Sequence, residues 1–123
     1  MSGKKTWYVV DGYRPPIQPI QNSGYEGHEC YMILNTNDVD ANVNVSVYFT
    51  NKDPVENIRL IVPAKRVFAF RSSDASILGG LHININEQYS IMFSSDINII
   101  VQYGRLDVQQ PNLAYMALMG YSE

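Results

Sequence analysis

The chain has little with which to staple or charge itself. Cys30 is its one cysteine in 123 residues. A single thiol closes no internal disulfide, which excludes the cystine-stapled secreted classes and fits a reducing compartment. His28 and His82 are its two histidines, so a His-rich metal site is excluded. No basic block exists beyond short pairs such as Lys4-Lys5, and the net charge is −3. A phosphate-facing surface for nucleic acid is therefore disfavoured. No apolar run approaches the roughly 20 residues of a membrane-spanning helix, and nothing reads as a signal peptide. There is no serine elbow, no phosphate-cradling glycine loop and no dinucleotide fingerprint, and His28-Glu29 lacks the second histidine of a zinc-protease helix. These absences lead us to expect a soluble, cytoplasmic, non-enzymatic protein with no catalytic residues, metal or cofactor.

What is present is a core. Hydrophobic residues make up 46% of the chain and charged residues 17%, which suits one globular domain over 1–123, with 1–5 as a disordered tail. The pattern is that of short strands. Thr6 to Val10 is aromatic and β-branched. His28 to Asn35 is apolar on both faces from Cys30 to Leu34. Val43, Val45, Val47 and Phe49 alternate with polar neighbours, the mark of a strand with one face in water. Ile58 to Val62 and Arg66 to Arg71 flank the turn Pro63-Ala64-Lys65. Leu81 to Ile85 alternates. Gln88 to Ser94 and Ile97 to Tyr103 read as two strands linked by Ser95-Asp96. Leu113 to Tyr121 is apolar on every face, so it is either a central strand or one that meets another chain. Eight or nine such strands, with no crossover helix, predict an antiparallel β-sandwich. Gly12 to Gly27, with Pro15, Pro16 and Pro19, is the longest loop, either functional as a lid or arm or simply mobile.

Side chains alternate along a strand with period two. Ile97, Ile99, Val101 and Tyr103 therefore share a face, and the same row continues into Arg105 and Asp107. Trp7 and Val9 likewise lead to Asp11. Charges at the ends of core-facing rows must meet each other, a ligand or a partner. Trp7, Asp11, His28, Glu29, Arg66, Arg71, Gln102, Arg105 and Asp107 all sit near strand ends, where a sandwich gathers its loops. The guanidinium fork of Arg105 and the carboxylate of Asp107 suit the neighbouring hydroxyls of a sugar-like ligand. They also suit a plain ion pair closing a turn. Trp7 can wall such a ligand or lie in the core. His28 can be a rim donor or a satisfied core residue.

The same residues carry a resemblance. Trp7 with Asp11-Gly12-Tyr13 and Pro15-Pro16, His28-Glu29, Ile33-Leu34-Asn35, Asp38 to Ala41, Tyr48 to Pro54, Arg59-Leu60, Val62 to Arg66, Ile100-Val101-Gln102 and Arg105-Leu106-Asp107 follow in order. The sequence resembles the sensory rhodopsin transducer family over about Trp7 to Tyr121. It departs at Asp11, a shorter acid than the family's glutamate, and over Ser72 to Gln88, where a different pocket wall is expected. The resemblance implies a β-sandwich that assembles as a homotetramer. It implies a prokaryotic domain for sugar-like small molecules, with Trp7, Asp11, His28, Glu29, Arg66, Gln102, Arg105 and Asp107 as binding residues. The alternative it implies is a cytoplasmic adaptor that passes on the state of a membrane receptor such as a sensory rhodopsin.

Overall fold

The structure, a computed structural model, describes residues 2–19, 24–110 and 113–123. Among the described residues the strands number eight: β1 (Lys4–Tyr13), β2 (His28–Asn35), β3 (Ala41–Phe49), β4 (Val55–Val62), β5 (Arg66–Arg71), β6 (Gln88–Asp107), β7 (Ala114–Met119) and β8 (Tyr121–Ser122). Every pairing is antiparallel. The expected all-β architecture is present. The strand begins at Lys4, inside the segment expected to be a tail, because the indole of Trp7 donates to the Lys4 carbonyl.

β6 organises the molecule. Its 20 residues serve two layers. The first half, residues 88–95, pairs with β1 and β3; the second, residues 100–107, pairs with β2 and β7. One layer therefore runs β4-β3-β6-β1-β8, and the other β5-β2-β6-β7. The switch occurs where Lys4 faces Ile99 but Thr6 already faces Ser94. There β6 carries several more residues than β1, which bends the strand as a bulge does. Ser95-Asp96, expected to be a turn between two strands, lies inside this irregularity. The Asp96 carboxylate accepts from the Asn42 backbone N–H and side-chain amide, each at 2.9 Å, and so binds β3 rather than reversing its own chain.

The core fills the space between the layers. Val43, Val45 and Val47 of β3 face Ile91 and Phe93 of β6, and Tyr31, Ile33, Phe70 and Val101 come from the other layer. The rings of Tyr31 and Phe93 lie 5.6 Å apart and those of Phe70 and Phe93 6.4 Å apart, so aromatic contacts join the layers. Trp7 is buried here. Its Nε1–H donates to the carbonyls of Lys4 and Ile99, both at 3.0 Å.

Two expected elements differ. Leu81 to Ile85 forms no strand, although Ile83 is buried like a strand residue; its carbonyl accepts from Arg14 Nη1 at 2.6 Å instead of a ladder partner. Leu113 to Tyr121 is not a central strand. β7 lies at the edge of one layer and β8 pairs with β1 in the other. The chain crosses between them at Gly120, where a Cβ would lie only 3.2 Å from both the Trp7 ring and the Tyr8 carbonyl. Most of β7 is exposed, with Met119 at 53%.

Hydrogen bonds from Asn42 hold the Asp96 carboxyl below its ordinary pKa. An acid depressed by folding stabilises the native state above its unfolded pKa of about 4, and that contribution fades as the pH falls through the lower folded value. Asp96→Asn is therefore expected to melt earlier than the parent at neutral pH, with the gap closing towards pH 2–3. Thermal melts of both proteins across that range check it.

Candidate functional site

The rim where β1 ends and β2 begins holds the most buried acid of the chain. Glu29 is 1% exposed. It belongs to the inward row Glu29, Tyr31, Ile33 and Asn35 of β2, all buried. Tyr89 OH donates to Oε1, and Tyr103 OH and the Tyr13 backbone N–H donate to Oε2, the last at 3.0 Å. Tyr31 OH lies 2.8 Å from Tyr89 OH and extends the network inward. Tyr89 and Tyr103 come from opposite halves of β6, so one carboxylate is held from both layers. The Tyr89 ring fits because its neighbour on β1 is Gly12; a Cβ there would stand 2.7 Å from the ring.

A buried carboxylate is costly unless its lone pairs are filled. Here three donors fill them, two of them charge-assisted phenol bonds. Among the described residues the ion pairs are Lys52–Glu87, Lys65–Asp38, Arg71–Glu26 and Arg105–Asp11, so none reaches Glu29. Burial pushes the phenols of Tyr31, Tyr89 and Tyr103 well above their ordinary pKa, and the Glu29 charge adds to the shift in each. Such a carboxylate is committed to holding the fold.

Arg105 stands opposite Glu29 in the β2–β6 register. Its side chain is 19% exposed, with Nη2 3.9 Å from Asp11 Oδ2 and Cζ 5.5 Å from the Tyr13 ring centroid. Its Nη1 is buried with no hydrogen-bond partner among the described residues. Asp107 does not join it, since Asp107 Oδ1 accepts from the Gln109 N–H at 2.8 Å. The expected pairing of Arg105 with Asp107 is thus replaced by a long contact to Asp11. Asp11 itself leaves the row of Trp7 and Val9. A register shift between Val9 and Gly12 breaks the alternation and leaves Asp11 exposed, where it accepts from Gln88 Nε2 at 3.1 Å.

The structure therefore gathers Asp11, His28, Glu29 and Arg105 near one rim, with Asp107 at the end of the same strand. It does not bring in the other three. Trp7 is a core residue. Arg66 pairs with Asn35 at the far end of β2, and its Nη1 reaches only the Lys65 carbonyl at 3.0 Å. Gln102 faces outward between Met32 and Met119. A cleft of about 120 Å³ opens at the rim beside His28 and Glu29, walled by Arg14, Arg71, Ser72 and Ser73. His28 Nδ1 lies 3.0 Å from the Glu26 carbonyl. The reading from sequence missed Tyr13, Tyr31, Tyr89, Tyr103 and Arg14. Nine tyrosines in this chain were the available signal, since a buried phenol needs an acceptor. Residues 20–23 of the long loop lie outside the described residues.

Among the described residues, no group of three or more His, Cys, Asp or Glu is placed to hold a metal ion, and no helix is long and apolar enough to cross a membrane. Fold and rim together define a small β-sandwich domain with a polar cleft at one end. The chain matches the family described as Anabaena sensory rhodopsin transducer over residues 2–122, and it belongs to that family. It is similar to the crystal structure of Thermotoga maritima 1070, with a TM-score of 0.82 and 28% identity, covering 100% of this chain and 97% of that one. It is also similar to the Anabaena sensory rhodopsin transducer, with a TM-score of 0.67 and 32% identity, covering 83% of this chain and 88% of that one. Comparison with curated proteins finds no match.

Removing one phenol from Glu29 leaves a buried charge short of a donor. Tyr89→Phe and Tyr103→Phe are each expected to cost about 1–3 kcal/mol in urea unfolding. Because folding raises the three phenol pKa values, their protons stay on above pH 10. This stability is complete below the unfolded value and is lost as the pH rises through the folded ones. Tyrosinate absorbance is expected to show Tyr31, Tyr89 and Tyr103 ionising only as the protein unfolds.

Proposed function

We propose that this chain is a signal-transducing adaptor, a non-enzymatic cytoplasmic domain that docks on the inner side of a membrane receptor of the sensory rhodopsin kind. The observation that supports it most is membership of the transducer family, with 32% identity to the Anabaena sensory rhodopsin transducer across 83% of the chain. The site chemistry agrees with this reading. Glu29 accepts from the Tyr89 and Tyr103 phenols and Asp107 Oδ1 from the Gln109 backbone N–H, so both acids are engaged in holding the fold.

An adaptor needs surfaces. The outer face of the β5-β2-β6-β7 layer carries Val67, Leu34, Ile100 and Met119 around Gln102. Val67 is 64% exposed. We assign this face to contact between copies, completing the homotetramer that the resemblance implies, which leaves the rims for the receptor.

A second reading is a binding domain for a small polar ligand, sugar-like in the family expectation. The cleft beside His28 and Glu29 favours it, with Arg105 opposite Glu29 in the strand register and 3.9 Å from Asp11. Trp7, Arg66 and Gln102 do not line that cleft.

Two measurements test the adaptor. Sedimentation of the purified protein is expected to give a tetramer, and Leu34→Glu with Val67→Glu a smaller folded species. Passing the tagged protein over detergent-solubilised membranes that carry a sensory rhodopsin is expected to retain the receptor saturably. A folded tetramer that retains no receptor, while the Anabaena transducer does so in parallel, would sink the adaptor reading.

A further inference from the structure

The cleft at the rim is lined by two arginines, Arg14 and Arg71, and two acids, Glu26 and Glu29. Arg14 is buried at 9% exposure and lines it. Its Nη1 donates to the Ile83 carbonyl at 2.6 Å, and its backbone N–H and carbonyl bond Glu87 and Asn86, so the residue is fixed in place. None of the four ion pairs among the described residues includes it. A largely buried guanidinium with no carboxylate within ion-pair distance is one that a bound anion stabilises.

The other charged groups of the cleft do not fill that role. The oxygens of Glu29 are already taken by Tyr89, Tyr103 and the Tyr13 N–H. Glu26 lies 3.4 Å from Arg71 Nη1, and both side chains are about half exposed or more. An exposed pair of this kind is weak and easily exchanged for a ligand. The groups left to meet a ligand are the donors Arg14 and Arg71, with Ser72 and Ser73 on the same lining. Arg71 is the last residue of β5, and Ser72 and Ser73 follow it. The opposite wall passes close by through Gly27, whose N–H donates to the Ile17 carbonyl at 2.9 Å. A Cβ there would overlap the Pro16 carbonyl at 1.8 Å, so only glycine lets the two segments close on the cleft.

From these observations we infer that the cleft binds the oxyanion group of a small acid, a carboxylate or phosphate, gripped by Arg14 and Arg71. Guanidinium forks match the geometry of such groups. At about 120 Å³, the space is well below the roughly 300–1,000 Å³ of sites that enclose drug-sized ligands, and it suits a head group or an acid of two or three carbons. The inference rests on the second reading above, and it replaces a neutral sugar by an acidic ligand.

Calorimetric titration with inorganic phosphate, glycolate and glycerol at fixed ionic strength tests it. Phosphate or glycolate is expected to bind the parent at one per chain, and glycerol is not. Arg71→Gln, at an exposed position, is expected to keep the parent's unliganded melting temperature and weaken anion binding about tenfold or more. Arg14→Lys tests the buried cation with its charge retained, and the loss of the planar fork is expected to weaken both phosphate and glycolate, equal affinity removing Arg14 from the grip. Equal anion affinity in parent and Arg71→Gln overturns the assignment. If glycerol binds and the anions do not, the acid specificity falls while the small-ligand reading stands. If neither class binds, both fall.

Discussion

The molecule depends on one carboxylate that never reaches water. Glu29 gathers a phenol from each half of β6 and the backbone of β1, so a single side chain joins both layers at the rim. The cost of burying its charge is met by donors rather than by a cation. That choice fixes distance and direction more tightly than an ion pair would, because phenols and backbone N–H groups have little freedom once packed. It also explains the local sequence: Gly12 leaves room for the Tyr89 ring, and the register of β2 sets Arg105 opposite the acid. The cations at this end, Arg14 and Arg105, are left without short carboxylate partners, and from this the electrostatics of the rim follow.

Much of the fold was legible because water marks it. Val43, Val45 and Val47 alternate with polar residues in the sequence and are buried in the structure beside Phe93 and Ile91, while on the other face Asn44 is half-buried, Ser46 buried and Tyr48 exposed. The hidden parts are those where side chains replace the backbone in its usual role. Asp96 looks like turn chemistry, yet it spends its oxygens on Asn42 and lets β6 run on. Ile83 alternates like a strand residue, yet its carbonyl is taken by Arg14. Leu113 to Tyr121 has no polar face, and a pattern of that kind does not distinguish a central strand from an edge awaiting cover.

The candidate site was legible in outline only. Rows of apolar residues do turn charged towards Arg105, and His28 and Glu29 do lie near by. Asp11 escaped because a bulge changes the parity of β1, and one residue of shift sends every following side chain to the other face. Trp7 was ambiguous because an indole serves a ligand or a core equally well; the two carbonyls on its Nε1 decide for the core. The acceptor role of Glu29 was invisible, since its donors lie 60 and 74 residues away in the chain.

The closing of β1 against the late strands bears on how the protein is made. Trp7 bonds a carbonyl 92 residues downstream, and Tyr8 bonds a carboxylate 115 residues downstream. The ladder partners of β1 lie in β6 and β8, so its greasy edge must wait on the ribosome until those strands have been made. Contacts of such long range are slow to form and leave sticky intermediates. Yield in the cell should therefore answer to chaperone supply and to the pace of elongation more than to the strength of the finished core.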